Sequence, residues 1–291
     1  MLCAPLKPTQ SKPLGFTWSD SWTGRASAIP VDEFLISSHI VPTSGGTVDL
    51  MGSKRFGTLN GYMANRPSYA FSTEFEEFWR PEIRRTTLVR LYGVIERARD
   101  AGLNVPARLP LMVIKEVNGS HGADVVMSLF PRSKLIFLVR DGRDVLDSLT
   151  AAHSPEGFIR AKRETDLEWV REQCERWAAR VDVCSRAFEN HDPELRRQIR
   201  YEDLLSDTTG VVGELYEWLG LATADRRVET VVERRSFDAV PDANKGPGKH
   251  HRSATPGGWQ EGLSQQAKAV AQEVMGERLA KLGYRDDSPS S

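Results

Sequence analysis

Leu135-Ile136-Phe137-Leu138-Val139-Arg140-Asp141-Gly142-Arg143-Asp144-Val145-Leu146-Asp147-Ser148 is the stretch on which the fold turns. Its first five residues are apolar without a break. That pattern suits a strand buried on both faces, as in a parallel sheet covered by helices. After Val139 the chain turns polar, and Val145, Leu146 and Leu149 begin a helix. Upstream, Leu109 to Ile114 is a second short apolar run, ending at Lys115. Ala123, Val126, Met127 and Phe130 follow at helical spacing, and Pro131 stops that helix. Strand, helix and strand with short connections make a βαβ unit, whose crossover is right-handed.

Working outward, Pro81 is read as the first turn of a helix to about Ala101, with Ile83, Leu88, Leu91, Ile95 and Ala98 on its apolar face. Thr165 and Glu168 form a capping-box pattern before a long amphipathic helix carrying Leu167, Val170, Cys174, Trp177, Val181 and Phe188. Gln198 to Tyr201 reads as a short strand. Asp207 or Thr208 caps a helix that Gly220 closes, and Gln265 to Leu282 is a final helix ended by Gly283. Residues 1–30 lack periodicity and read as an irregular lead-in, followed by a short strand over Phe34 to Val41. Lys245 to Gly258 is rich in Gly, Pro, His and Lys and reads as loop. No repeat or linker splits the chain, so the expectation is a single domain over residues 1–291. Its fold class is three-layer α/β, a parallel central sheet flanked by helices.

Composition excludes several classes. The formal net charge of −1 provides no global field for nucleic acid or an anionic membrane, so neither is expected as a partner. No run of 18 apolar residues reads as a transmembrane helix, and Met1 to Lys12 lacks the apolar core of a signal peptide. The three cysteines, Cys3, Cys174 and Cys184, fit no zinc spacing; Cys174 on an apolar helix face reads as a reduced core thiol. A cytoplasmic location follows.

Parallel sheets bind ligands beyond the carboxyl ends of their strands. Arg140 stands at such an end, and Ser148 lies one to two turns into the next helix. An arginine fork with a hydroxyl near a helix N-terminus makes a phosphate site. The same spacing also allows Arg140 to pair with Asp141 or Asp144 while Ser148 is merely exposed.

The segment Leu135 to Ser148 resembles the 3′-phosphate motif of the sulfotransferases, whose fold is related to that of P-loop NTPases. In that family the arginine and the serine hold the 3′-phosphate of PAPS (3′-phosphoadenosine 5′-phosphosulfate), and Arg140 and Ser148 fall at those places. Arg200-Tyr201-Glu202-Asp203-Leu204 resembles another family segment, which implies that Tyr201 contacts the adenine side. Arg252 to Trp259 is similar to the late basic loop that closes over the 3′-phosphate, with Arg252 as the match, although the glycine that follows the basic pair in the cytosolic enzymes is missing. The resemblance covers Leu109 to Leu282. The family's phosphosulfate loop, Pro-Lys/Arg-Ser-Gly-Thr-Thr, has one counterpart, Pro42-Thr43-Ser44-Gly45-Gly46-Thr47. Ser44, Gly45, Gly46 and Thr47 would cradle the 5′-phosphate and sulfonate through backbone N–H groups. Thr43 stands where the basic residue is expected. The rival readings place the loop upstream of Met1 or regard it as lost.

The resemblance implies transfer of a sulfonate group from PAPS to a hydroxyl of a small-molecule acceptor. Lys115 resembles the family lysine that stabilises the leaving phosphate. The base is Glu116 or His121. In the cytosolic branch a histidine lies two residues after the lysine, where this chain has Val117, which favours Glu116. No metal or redox cofactor is required. Phe71 to Trp79 and Asn244 to Trp259 are expected to be loops around the acceptor. A homodimer is one option for the assembly. Two other functions stay open: a protein that binds a 3′-phosphoadenosine nucleotide without turnover, and another P-loop-fold transferase such as a kinase. The latter requires a Gly-x-x-x-x-Gly-Lys-Ser/Thr loop, which the sequence lacks.

Overall fold

The computed structural model describes residues 28–32, 73–100, 102, 111–115, 120, 123–152, 166–221, 227–242, 245–246 and 255–284. They fall in two compact units, one drawn from 1–32 and 85–115, the other from 33–84 and 116–291.

The first unit contains strands β1 (Ala28–Asp32) and β2 (Leu111–Lys115) and the later part of helix α1 (Glu76–Asp100). The two strands pair in parallel, from Ala28 against Leu111 to Asp32 against Lys115. β1 corrects the irregular reading of residues 1–30 at its last three positions, 28–30; residues 1–27 lie outside the described residues. Pro30 donates no ladder hydrogen bond, which an edge position tolerates, and Ile29 and Val31 beside it are β-branched. The expected strand at Phe34 to Val41 lies outside the described residues. Helix α1 also begins earlier than expected. A 3₁₀ turn over Thr73–Phe75 leads into it, and Glu76 and Glu77 occupy its first turn, where acidic groups suit the helix dipole. Pro81 is thus the sixth residue, inside the helix rather than at its start. Glu76 to Trp79 are accordingly helical, not loop. Leu91 and Ile95 are buried as the pattern requires, while Leu88 is exposed.

The second unit is built around helices α2 (Ala123–Leu129), α3 (Gly142–Ala152) and α4 (Leu167–Glu189), with strands β3 (Leu135–Val139) and β4 (Arg196–Arg200). It continues through α5 (Tyr201–Ser206), α6 (Thr208–Leu219), α7 (Arg227–Arg235), α8 (Trp259–Gly262) and α9 (Gln265–Lys281). β3 and β4 pair in parallel, Leu135 against Arg196 through Val139 against Arg200. All described pairing is therefore parallel and the class is α/β as expected. Among the described residues the strands form two pairs, β1 with β2 and β3 with β4, and no ladder joins the consecutive strands β2 and β3. Hydrogen-bonded neighbours here are separated by helical crossovers, so succession in sequence does not make β2 and β3 partners.

The core explains how β3 is held. Val170, Cys174, Ala178 and Val181 on α4 and Ala267, Ala271, Met275 and Leu279 on α9 are buried. Each set recurs at three or four residues, and the small side chains on α9 let the helices approach. Val139, Leu146, Trp259 and Tyr284 join the same cluster, with Phe137 packed against it. The opposite face of β3 is not covered in the same way: Ile136 is 39% and Leu138 52% exposed. The expectation of a strand buried on both faces therefore fails; period-two alternation puts Phe137 and Val139 against the core and Ile136 and Leu138 away from it.

Caps fix the remaining boundaries. Asp166, not Thr165, caps α4 by accepting from the Trp169 backbone N–H. Asp207 caps α6 by accepting from Gly210, and Gly220 closes it at φ 74°. Tyr201 was expected in a strand but opens α5, one residue beyond the last ladder position. No helix of the described residues is long and apolar enough to cross a membrane.

Candidate nucleotide site

The parallel register sets the geometry. Val139 stands opposite Arg200 at the ends of β3 and β4, so Arg140 and Tyr201 leave the two strands side by side. The Arg140 guanidinium lies over the Tyr201 ring at 5.0 Å. Both side chains are half-buried. Arg140 makes no ion pair among the described residues, and its Nε is buried without a hydrogen-bond partner. A buried guanidinium N–H left unsatisfied is costly. An anion bound there would remove that cost, so the residues present fit a phosphate group.

The alternative pairing of Arg140 with its acidic neighbours does not occur. Asp141 caps α3 by accepting from the Arg143 backbone N–H at 2.8 Å. Its carboxylate also forms a buried bidentate pair with the Arg143 side chain, at 3.0 Å to Nε and 2.7 Å to Nη2. Arg143 in turn lies 4.1 Å from the ring centroid of Trp259. Asp144 is buried and accepts backbone N–H bonds from Gly257 at 2.8 Å and Trp259 at 3.1 Å. Burial raises its pKa, while the two N–H bonds and the nearby Arg140 charge pull it down. Both acids are committed elsewhere, and Arg140 keeps its hydrogen-bonding capacity.

Ser148 lies in the second turn of α3, half-buried, and its hydroxyl makes no hydrogen bond among the described residues. The start of α3 is pressed against the core at Gly142. A Cβ there would meet Met275 Sδ at 2.6 Å and the Trp177 ring at 2.8 Å. Only glycine lets α3 begin so close to α4 and α9.

The structure thus brings Arg140 and Tyr201 together and keeps Ser148 on the helix that follows Arg140. Lys115 is the last residue of β2, in the first unit. Glu116, His121, Arg252, Ser44, Gly45, Gly46 and Thr47 lie outside the described residues. The turn over Thr255–Gly258, just after Arg252 in sequence, is fixed to α3 by Asp144.

Two residues with structural roles at this site were not anticipated. Glu202 accepts from the Asp141 backbone N–H at 3.0 Å through one oxygen and from the Tyr284 hydroxyl at 2.8 Å through the other. Asp144 holds the Gly257 turn. Their sequence signals are faint: Glu202 adjoins Tyr201, and Asp144 is one of three closely spaced aspartates.

A model of the sulfotransferase family matches residues 59–225, more than half of the chain. The protein belongs to the sulfotransferase family. It is 24% identical over 185 residues to the omega-hydroxy-beta-dihydromenaquinone-9 sulfotransferases Stf3 of Mycobacterium bovis and Mycobacterium tuberculosis. Those alignments cover 62% of this sulfotransferase-family chain and 43% of each relative, so the chain spans less than half the length of the curated relatives it matches. Among solved structures, mouse sulfotransferase SULT7A1 complexed with PAP aligns at 15% identity and TM-score 0.44, over 62% of this chain and 69% of that one. Retinol dehydratase in complex with androsterone and inactive cofactor PAP aligns at 15% identity and TM-score 0.45, over 92% and 83%.

Proposed function

We propose that this chain is a PAPS-dependent sulfotransferase that moves a sulfonate group to a hydroxyl of a small-molecule acceptor. The observation that carries the reading is the Arg140 guanidinium, stacked on Tyr201 with a buried Nε that has no hydrogen-bond partner among the described residues. It stands at the position of the family's 3′-phosphate arginine. Arg140 and Ser148 hold the 3′-phosphate, Tyr201 borders the adenine, and Arg252 adds a second cation to the same phosphate. Ser44, Gly45, Gly46 and Thr47 take the 5′-phosphosulfate.

When bound, the donor supplies an electrophilic sulfonate. Lys115 stabilises negative charge on the leaving phosphate. Glu116, or in the second assignment His121, takes the proton from the acceptor hydroxyl. The relatives named above include one whose name states a hydroxylated menaquinone derivative, which supports a small-molecule acceptor. Reading 1–291 as one domain belongs to the same proposal; the family match, over residues 59–225, includes residues of both compact units. A cytoplasmic location belongs to the same reading and rests on Cys174 and Cys184 being free thiols.

Calorimetry with adenosine 3′,5′-bisphosphate and a PAPS turnover assay test the proposal together. Binding that Arg140→Ala abolishes, with turnover, is the expected result. Binding without turnover selects a nucleotide-binding protein that does not catalyse transfer, a reading favoured by Thr43 in place of a basic residue. Wild-type protein that ignores the bisphosphate sinks both.

A further inference from the structure

Three bonds meet behind the Arg140–Tyr201 stack. The Glu202 carboxylate receives the Asp141 N–H on one oxygen and the Tyr284 hydroxyl on the other. Tyr284 is buried, and its hydroxyl also lies 3.4 Å from the Val139 carbonyl oxygen. Burial and the Glu202 carboxylate both push the Tyr284 pKa upward, so it remains a donor. Arg200 completes the assembly, its guanidinium 4.4 Å from the Tyr284 ring and its Nη1 donating to the Gly283 carbonyl at 3.3 Å.

The positions of these bonds matter. Val139 and Arg200 are the last paired residues of β3 and β4. Beyond them the ladder stops, and the backbone must hold Arg140 and Tyr201 together by other means. The bond from Asp141 N–H to Glu202 lies one residue past the stack on each chain. It continues the tie between the two strands after the ladder has ended. Tyr284, which follows the end of α9, braces that tie from the C-terminal segment.

We infer that Glu202, braced by Tyr284, is a positioning residue that sets Arg140 and Tyr201 for a nucleotide 3′-phosphate; this rests on the nucleotide site proposed above. Glu202 acts through the backbone of Asp141. Loss of its carboxylate frees the Asp141 peptide, lets the guanidinium leave its place over the ring, and weakens recognition of the 3′-phosphate more than recognition of the rest of the nucleotide.

The test is calorimetry of the full chain with adenosine 3′,5′-bisphosphate and with adenosine 5′-monophosphate, which lacks the 3′-phosphate. Wild type and Arg140→Ala establish whether the site discriminates between them. Glu202→Ala is expected to weaken the bisphosphate about tenfold, as the loss of a charge-assisted hydrogen bond implies, with less than about a twofold change for the monophosphate. Glu202→Gln retains a carbonyl for the Asp141 N–H and an amide for the Tyr284 oxygen, and it restores most of the discrimination. A purely structural role would lower the unfolding temperature and leave the ratio of the two affinities where it was. Discrimination lost in Arg140→Ala but unchanged in folded Glu202→Ala overturns this inference alone. If Glu202→Ala does not fold, Tyr284→Phe carries the test, and wild-type discrimination there overturns it. A wild type with no preference for the bisphosphate overturns the nucleotide site and the inference with it.

Discussion

The Arg140 guanidinium sits 5.0 Å from the centre of the Tyr201 ring because the register of β3 and β4 ends on the pair Val139 and Arg200. A cation over an aromatic face is stabilised by the ring's quadrupole, and the ring also limits where the guanidinium can point. Its buried Nε has no hydrogen-bond partner among the described residues. Arg140→Ala is expected to lower affinity for adenosine 3′,5′-bisphosphate on the order of 100-fold, the effect of losing charge-assisted bonds at ~1.5–3 kcal/mol each. Arg140→Lys recovers part of this, since it keeps the charge and loses the planar fork. Calorimetry at fixed salt reads both, and equal binding by Arg140→Ala contradicts the assignment.

Gly142 gives a prediction that depends on packing alone. A methyl group there would overlap Met275 and Trp177, which lie in or against the core. Overpacking of this kind costs about 1–3 kcal/mol. Gly142→Ala should therefore lower the unfolding free energy in urea by that amount, with a matching fall in the urea midpoint. Since α3 carries Ser148, bisphosphate affinity should fall as well. Full stability in the variant would show that α3 can shift without strain.

The sequence revealed elements whose signals are local. β3 lies where the apolar run ends, because Lys134 and Arg140 flank five apolar residues. Asp207 and Gly220 bound α6 through capping chemistry that needs no tertiary contact. Pro30 hid β1, since a proline removes a ladder donor and locally argues against a strand. The acids after Arg140 were harder still. Asp141 and Asp144 are placed to neutralise it by spacing, yet one takes Arg143 and the other takes backbone groups 113 and 115 residues away. That choice is made by the packing of α8 and α9, and no local pattern records it.

Cys174 and Cys184 should behave as unreactive thiols in the folded protein. Burial pushes Cys174 up to about 12 and Cys184 up to about 11. Thiolate is the reactive form, and little of it exists at neutral or mildly alkaline pH. Iodoacetamide at pH 8 is expected to leave both unlabelled in native protein and to modify both in urea. Peptide-level mass spectrometry separates them from Cys3. Rapid native labelling of Cys174 would mean that α4 and α9 open readily.

Asp144 links stability to pH in a direction opposite to that of a surface ion pair. Its pKa is raised in the folded protein, chiefly by burial. Between the ordinary aspartate value and that raised value, the folded state binds more protons than the unfolded one. Stability from this group therefore falls as pH rises through the window, and it is highest below it. The exposed acids Glu273 and Glu277 are shifted downward by Arg171 and Lys281, so their contributions run the other way. The comparison must therefore be with Asp144→Asn, which cannot ionise. Its amide offers one oxygen to the two N–H donors of Gly257 and Trp259, so the variant should be about 1–3 kcal/mol less stable near pH 7 from the unsatisfied donor, offset in part by removal of the buried charge. Across pH 4 to 7, urea unfolding should show the gap between wild type and Asp144→Asn narrowing as pH rises. A constant gap would mean that Asp144 keeps an ordinary pKa because the two N–H bonds balance its burial.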